Sequence, residues 1–236
     1  MTGVPATARA RARAELTEEI KAAGRHQLAA VGASELSLRA IARELGMVSS
    51  AVYRYFPSRD DLLTALLVDA YDALGAAVER AAADRRGAFE ARWVRVAGAV
   101  HGWAAEHPHE WALLYGSPVP DYRAPRDTVP PAARPPVAAL GVVADAVAAG
   151  EVSASPPIAA PLPRPVRADL ARVRAGLGRD LPDDVLARAV YAWTQVIGAV
   201  SFERFGHYAN VVEAPGDLFA HQARFTARWV IGAGRS

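Results

Sequence analysis

The chain has 236 residues, no cysteine and a formal net charge of only +2, from 27 basic and 25 acidic side chains. Without cysteine it can form neither a disulfide nor a thiolate metal site, which fits a reducing, cytoplasmic location. Hydrophobic residues make up 52% of the chain, but no uninterrupted apolar run approaches the ~20 residues of a membrane-spanning helix. The N-terminus also lacks the apolar segment of a signal peptide, so we expect a soluble protein that is not exported and has no membrane partner.

Charge is distributed unevenly along the chain. Residues 1–60 carry nine basic and six acidic side chains, a net charge of +3, which leaves −1 for the remainder. A mildly basic N-terminal segment is compatible with binding to phosphates. Arg9, Arg11 and Arg13 suit either an arm that enters the minor groove of DNA or a solvated, disordered tail, and the sequence leaves both open.

Nearly every segment has the apolar spacing of a helix, and none shows the alternation of a strand. Capping residues and breakers set several ends: Ser37 precedes a short helix, Gly46 ends it, and Ser58 with Asp61 opens a long one. The predicted helices span 9–31, 38–45, 50–55, a long segment from 58, 88–106, 111–115, 136–149, 167–176, 182–205 and 216–231.

Two proline-rich stretches, 116–136 and 153–165, are predicted to be loops. The first holds seven prolines, which lack a backbone N–H and disfavour the interior of a helix. This stretch suits either a lid over a binding site or a plain surface connection.

The segment Ser37–Phe56 has the spacing of two short helices that cross at a steep angle. Ala42 supplies the small residue at the crossing, Gly46 tolerates a positive φ in the turn, and Val52 supplies a buried anchor. This spacing predicts a helix-turn-helix, whose second helix enters the major groove of DNA. The spacing alone also fits an ordinary pair of packed helices.

The residues expected to face DNA are small at the front of the second helix and aromatic or basic behind it. Serine hydroxyls and an alanine methyl can meet base edges, whereas tyrosine hydroxyls and arginines suit phosphates. These candidates are Arg39, Ser49, Ser50, Ala51, Tyr53, Arg54 and Tyr55.

Residues 14–73 resemble the DNA-binding domain of the tetracycline-repressor (TetR) family of bacterial transcriptional regulators. The likeness is carried by LSLRAIARELG at 36–46, AVYRYF at 51–56 and SRDDLL at 58–63. It implies a helix-turn-helix domain over 12–72 that binds double-stranded DNA.

The resemblance also implies roles for single residues. Ser37 stands where the family touches phosphate at the start of the first helix of the motif, and Tyr53 and Tyr55 match its aromatic phosphate clamps. Arg59 matches its basic residue at the N-terminus of the fourth helix. Val48-Ser49-Ser50 departs from the family's usual pattern of Ser, a small or basic residue and Gly, so the operator sequence does not transfer.

The C-terminal part resembles a subgroup of the same family with a WHG-type C-terminal domain. The likeness lies in residues 193–206, with a Trp, a Gly and a Phe-Glu pair, and in residues 107–122. It implies an all-α fold in which a three-helix N-terminal domain precedes, over 80–236, a helical bundle for dimerisation and ligand sensing.

The predicted helix over 182–205 is apolar almost all round, so it must be covered on every side. One stripe would face its own core and the other a second copy, or the whole helix would be internal to a monomer. The first stripe comprises Leu186, Val190, Trp193, Ile197 and Val200, and the second Val185, Ala189, Ala192, Val196 and Ala199. The family resemblance favours a homodimer, and two-fold symmetry then predicts a palindromic operator.

A small-molecule effector is the remaining expected partner. Aromatic walls with a few polar groups are typical of a ligand pocket, although each of these residues also suits a packed core. The candidate ligand-binding residues are Trp93, His101, Trp111, Tyr115, Trp193 and Gln195.

Other functions find little support. The chain lacks a nucleophile elbow, a phosphate-binding glycine loop and a zinc-protease motif, so we expect no enzyme and no cofactor. The histidines and glutamates of 101–110 match no standard spacing of metal ligands. Packaging of DNA without sequence preference would need a larger positive charge. We therefore expect a sequence-specific transcriptional regulator, a repressor that a small molecule releases from its operator.

Overall fold

The computed structural model describes residues 8–152 and 161–232, and within these ranges it is helical without strands. Two short 3₁₀ turns, Ala33–Glu35 and Arg126–Thr128, separate some of the α-helices. The α-helices are α1 (Ala8–Val31), α2 (Leu38–Glu44), α3 (Ser49–Val52), α4 (Arg59–Ala83), α5 (Phe89–Glu106), α6 (Pro108–Tyr115), α7 (Val129–Ala148), α8 (Arg164–Leu177), α9 (Asp183–Arg204) and α10 (Pro215–Ile231). The all-α prediction is confirmed; part of the predicted 153–165 loop lies outside the described residues.

The predicted start of the long helix α4 is confirmed by its hydrogen bonds. The Asp61 carboxylate accepts bonds from the Ser58 backbone N–H at 2.9 Å and from its hydroxyl at 2.7 Å. The Ser58 hydroxyl oxygen in turn accepts the Asp61 N–H at 3.1 Å. These reciprocal bonds satisfy donors that the first turn of a helix otherwise leaves free.

The chain divides into two compact units, and the boundary falls inside α4 between Ala70 and Tyr71. Unit 1 contains the residues up to Ala70 and also Pro108–Val129; unit 2 contains Tyr71–His107 and the residues from Pro130 onward. The predicted domains, 12–72 and 80–236, are continuous in sequence and therefore assign 108–129 to the other part.

Unit 1 takes in residues 108–129 because they carry apolar side chains that pack on its core. Leu113, Val119 and Tyr122 contact the buried cluster of α1 to α4. The Tyr122 and Thr64 hydroxyls are 2.9 Å apart and form a hydrogen bond. Val119 and Tyr122 are isolated apolar residues in a proline-rich stretch without periodicity, so the sequence pattern did not reveal their packing.

The predicted loop over 116–136 is wrong in its last part, because α7 begins at Val129. Pro130 and Pro131 lie in the first turn, where a missing N–H removes no helical bond. Pro135 and Pro136 stand inside the helix and remove two such bonds. Pro131 and Pro135 are buried one turn apart, so packing compensates for those lost bonds.

Unit 2 has its core between α5, α9 and α10. Within the described residues α9 is the one helix long and apolar enough to cross a membrane, a test that core helices of soluble proteins also pass. Its buried Arg188 donates to the main-chain oxygens of Trp229 and Val230. The second predicted stripe of α9 is buried within unit 2 at Val185, Ala189, Ala192 and Val196, whereas three residues of the first stripe are half-buried, Val190, Trp193 and Ile197. One stripe thus faces its own core, and contact of the other with a second copy stays a prediction.

Candidate nucleic-acid interface

The segment α2–turn–α3 has the local geometry that its sequence predicts. Gly46 adopts a φ of +65°, which a side chain would disfavour. The Met47 N–H donates to the Ala42 carbonyl at 2.8 Å, which closes the turn. Ile41 and Val52 have no exposed surface. The two short helices are thus fixed to each other and to the core of unit 1.

Three of the predicted contact residues in α3 and the turn after it are exposed to solvent. Ser50 and Arg54 are exposed, and Tyr53 is 40% exposed. Ser49 and Ala51 are half-buried. The helix α3 ends at Val52, so Tyr53 and Arg54 stand in the turn that follows it rather than in the helix.

Tyr55 is half-buried and packs against the core of unit 1. The guanidinium carbon of Arg13 lies 5.1 Å from the centre of its ring, within the distance of a cation–π contact. Arg13 belongs to α1, which begins at Ala8. Arg9, Arg11 and Arg13 are helical and exposed, so the predicted alternative of a disordered tail is wrong.

Ser37 is the N-cap of α2, and its hydroxyl oxygen accepts the Ala40 N–H at 3.4 Å. Gln27 of α1, which the sequence analysis missed, positions it. The Gln27 amide oxygen accepts the Ser37 N–H at 3.0 Å, and its amide nitrogen lies 3.5 Å from the Ser37 carbonyl oxygen. A polar residue within an apolar helix face is the only signal in the sequence that could have indicated this contact.

Arg59 makes structural contacts in addition to any contact with DNA. Its guanidinium donates to the carbonyl oxygens of Ala33 at 2.9 Å and Ser34 at 3.2 Å. It thereby fixes the turn between α1 and α2 to the start of α4. Arg39 on α2 is exposed and therefore available to a phosphate.

An ion pair joins α1 to α4 beside this segment. The Lys21 ammonium lies 2.8 Å from Asp69 and 2.7 Å from Glu18. Burial would lower the pKa of Lys21, but the hydrogen bonds to the two carboxylates outweigh it, and the pKa is raised above its ordinary value.

The predicted effector residues are divided between the two units. Trp111 and Tyr115 lie in unit 1, where Trp111 is fully buried and packs on Tyr115 at a ring distance of 4.5 Å. Trp93 is fully buried in unit 2 and donates its indole N–H to the Thr226 hydroxyl at 3.1 Å. Packing accounts for both tryptophans.

His101 is bound inside unit 2. Its Nε2 lies 2.8 Å from a Glu203 carboxylate oxygen, and its ring stacks on Phe219 at 4.4 Å. Burial would raise the pKa of Glu203, but His101 and the neighbouring Arg204 outweigh that effect and lower it. Trp193 is half-buried on α9.

Gln195 is exposed on α9 and lines a cleft of about 360 Å³ between α9 and α10. Aromatic side chains dominate this cleft, and among the described residues no charged side chain lines it. Several aromatic residues of the two helices are strongly exposed: Tyr191 (51%), Phe202 (52%) and Phe225 (61%).

No group of three or more potential metal-binding side chains gathers within the ranges 8–152 and 161–232. The histidines of 101–109 instead have separate surroundings. The His107 ring lies 4.9 Å from the Trp103 ring in a tilted arrangement, while His109 is exposed.

Both halves of the chain match known families of regulators. Residues 20–66 match the family described as bacterial regulatory proteins, tetR family, and residues 93–226 match the tetracyclin repressor-like C-terminal domain. The HTH-type transcriptional regulator Rv1816 of Mycobacterium tuberculosis is 44% identical over 216 residues, which cover 90% of this chain and 91% of that protein. This role is not enzymatic. The WHG-type subgroup stays a prediction.

Solved structures agree with these matches. The regulatory-protein candidate SCO4313 superposes with a TM-score of 0.73 and is 32% identical, with 93% of this chain and 98% of that chain covered. A tetR-family regulatory protein from Rhodococcus RHA1 gives a TM-score of 0.57 at 19% identity, over 93% of this chain and 98% of that chain, and shares the fold. The chain therefore belongs to the TetR family of transcriptional regulators and binds DNA through its N-terminal helix-turn-helix domain.

Proposed function

We propose that the protein is a repressor that binds a palindromic operator as a homodimer and leaves it when a small molecule binds. It acts in the cytoplasm, at the nucleoid while bound to DNA. The contact residues for DNA are the nine that the sequence indicates: Ser37, Arg39, Ser49, Ser50, Ala51, Tyr53, Arg54, Tyr55 and Arg59.

The observation that carries this proposal is the outward presentation of α3 on a rigid three-helix support. Ser50 at its front is exposed, so a base edge can approach it closely. Tyr53 and Arg54 behind it offer a hydroxyl and a guanidinium to phosphates. The half-buried Ser49 and Ala51 require the closest approach and contribute mainly shape.

A second copy of the chain is the proposed occupant of the α9–α10 face. Large exposed aromatic residues on a soluble protein are typical of an interaction surface. Tyr191, Phe202 and Phe225 form such a surface around a cleft that, within the described part of the chain, has no charged lining residue. Regulators of this family act as dimers. In a two-fold symmetric dimer the two N-terminal DNA-binding domains bind the two half-sites of a palindrome.

The effector is proposed to act in unit 2, through the helices that carry Trp93, His101, Trp193 and Gln195. A ligand shifts an equilibrium only by binding one packing of these helices more tightly than another. The His101–Glu203 contact joins α5 to α9, so a polar ligand that competes for it favours a different packing of the two helices.

Selection of bound duplexes from a random DNA pool tests the proposal. We expect an inverted repeat with half-sites one or more helical turns apart, bound by two chains. Recovery of a single non-repeated site would contradict the proposal that a dimer binds the operator. Recovery of unrelated sequences would contradict sequence-specific binding. Addition of cell metabolite fractions to the selected complex then tests release: loss of the complex is expected, whereas a complex that no fraction weakens contradicts effector control.

A further inference from the structure

The N-terminal turns of α1 carry arginines that neither the helix nor the core of unit 1 explains. Arg9, Arg11 and Arg13 are all exposed, and no acidic residue lies in the first turn. Within the described part of the chain, neither Arg9 nor Arg13 has an ion-pair partner. Cations near the positive end of a helix dipole are unfavourable, and like charges four residues apart add to this cost.

Helical spacing places two of these arginines on one face and the third on the other. With 3.6 residues per turn, Arg9 and Arg13 lie on the side of α1 that further along carries the fully buried Ile20. Arg11 lies on the opposite side of the helix. The core-facing stripe of α1 therefore continues beyond the core as two exposed arginines one turn apart.

Arg13 reaches the nucleic-acid interface directly. Its guanidinium lies over the ring of Tyr55 at 5.1 Å, and Tyr55 follows Tyr53 and Arg54 at the exposed end of the motif. When a guanidinium lies over an aromatic ring, its N–H groups point outward in the plane of the guanidinium. They can therefore donate to a phosphate in a planar bidentate contact.

We propose that Arg9 and Arg13 form a second DNA-backbone contact, outside the helix-turn-helix, and that Tyr55 positions Arg13 for it. The two arginines bind successive phosphates of the strand that passes Tyr55, and neutralisation by those phosphates offsets the cost of cations at this end of α1. The contact is independent of base sequence, so it raises affinity for operator and non-operator duplexes alike. This inference rests on the proposed binding of DNA by α3.

The salt dependence of DNA binding tests the inference, because Arg11 provides a matched control in the same helix. Arg9→Gln, Arg13→Gln and Arg11→Gln each remove one positive charge from the first two turns of α1. Each protein is titrated, at several KCl concentrations, with the duplex selected from the random pool and with a scrambled duplex of equal length. Circular dichroism and thermal unfolding show whether each variant keeps its helices.

A phosphate contact contributes about 0.9 to the slope of log Kd against log salt concentration. We expect Arg9→Gln and Arg13→Gln each to lower that slope by about 0.9 for each chain bound, on both duplexes. Arg11→Gln should leave the slope unchanged. Equal slopes for the three variants, whether all lowered or all unchanged, would overturn the inference. If wild type fails to distinguish the selected duplex from the scrambled one, the proposed function fails instead.

Discussion

At the scale of single residues, the side chains proposed to contact DNA are of two kinds. Some would serve DNA alone, and others also stabilise the fold of unit 1. Tyr53 is 40% exposed, and its hydroxyl is free to serve a phosphate without a cost to the core. Arg59 instead holds the Ala33 and Ser34 carbonyls. Loss of Arg59 would therefore weaken DNA binding and disturb the turn at the same time, so it is a less specific test.

Tyr53→Phe removes one hydroxyl and keeps the ring. A hydrogen bond to a charged group contributes about 1.5–3 kcal/mol, so we expect weaker binding of both operator and scrambled duplexes, to a similar degree. Fluorescence anisotropy titrations measure both affinities, and Tyr71→Phe, at a half-buried position of α4 in unit 2, is the control. A loss confined to the operator would contradict the assignment of Tyr53 to a phosphate.

The His101–Glu203 pair gives a pH dependence with a defined sign. Since folding lowers the pKa of Glu203, this residue stabilises the protein above its ordinary carboxyl pKa near 4.5, and the stabilisation is lost as pH falls through the lower folded value. Glu203→Gln should therefore lose less unfolding free energy between pH 7 and pH 4 than wild type, as measured by urea unfolding. Glu106→Gln, an exposed position of α5, should behave like wild type; an equal loss in all three proteins would refute the effect.

At the scale of helices, the close approach of α4 and α7 depends on a glycine. A Cβ added to Gly75 would lie 2.9 Å from the Cβ of Arg134. The Arg134 guanidinium then bonds to Glu79, at 2.8 and 2.9 Å, and to Asp72. Asp72, Gly75 and Glu79 share one face of α4, so the glycine leaves room for the arginine that both carboxylates bind.

Gly75→Ala should lower the free energy of unfolding by about 1–3 kcal/mol, because the packed Arg134 stem has to move. Gly98 on α5 is the matched control, since it is also helical, is exposed and has no atom within 4 Å of an added Cβ. Gly98→Ala should stabilise the protein by about 0.5–1 kcal/mol, the usual advantage of alanine in a helix. Chemical denaturation distinguishes the two, and stabilisation by both would contradict the close approach of α4 and α7.

The sequence predicted those helices whose ends are determined locally. Ser37, Ser58 with Asp61, and Gly46 set helix ends through bonds within a few residues, and these positions agree with the structure. The N-terminal half of α7 could not be predicted in this way. Its prolines are compatible with a helix only because the first turn needs no N–H donors and because Pro131 and Pro135 are buried.

At the scale of the whole molecule, contacts between residues distant in sequence were the part that sequence patterns missed. The assignment of 108–129 to unit 1 depends on packing by Leu113, Val119 and Tyr122. Arg13 and Tyr55 are in contact although they lie 42 positions apart in sequence, and neither residue type predicts this contact. The candidate DNA-binding residues were accessible to sequence analysis because they share one short motif, whereas the effector candidates are scattered over helices of both units.

The proposed homodimer predicts a change in assembly when its aromatic face becomes charged. Phe225 is 61% exposed on α10, so Phe225→Asp should leave the monomer folded but bury an unpaired charge in the interface. Light scattering should show a dimer for wild type and a monomer for this variant, with a loss of operator affinity. Val173→Asp, at an exposed apolar position of α8, should remain dimeric; a dimeric Phe225→Asp would exclude this face.

In the proposed complex Ser50 on α3 lies against DNA, and because the chain contains no cysteine, the exposure of this position can be measured directly. A single Ser50→Cys substitution creates one thiol, whose rate of alkylation reports its exposure, and Ala105→Cys on α5 serves as the control. We predict rapid alkylation of both free proteins and strong slowing by the selected operator duplex at position 50 alone. Unchanged alkylation at position 50 in the saturated complex would contradict the account.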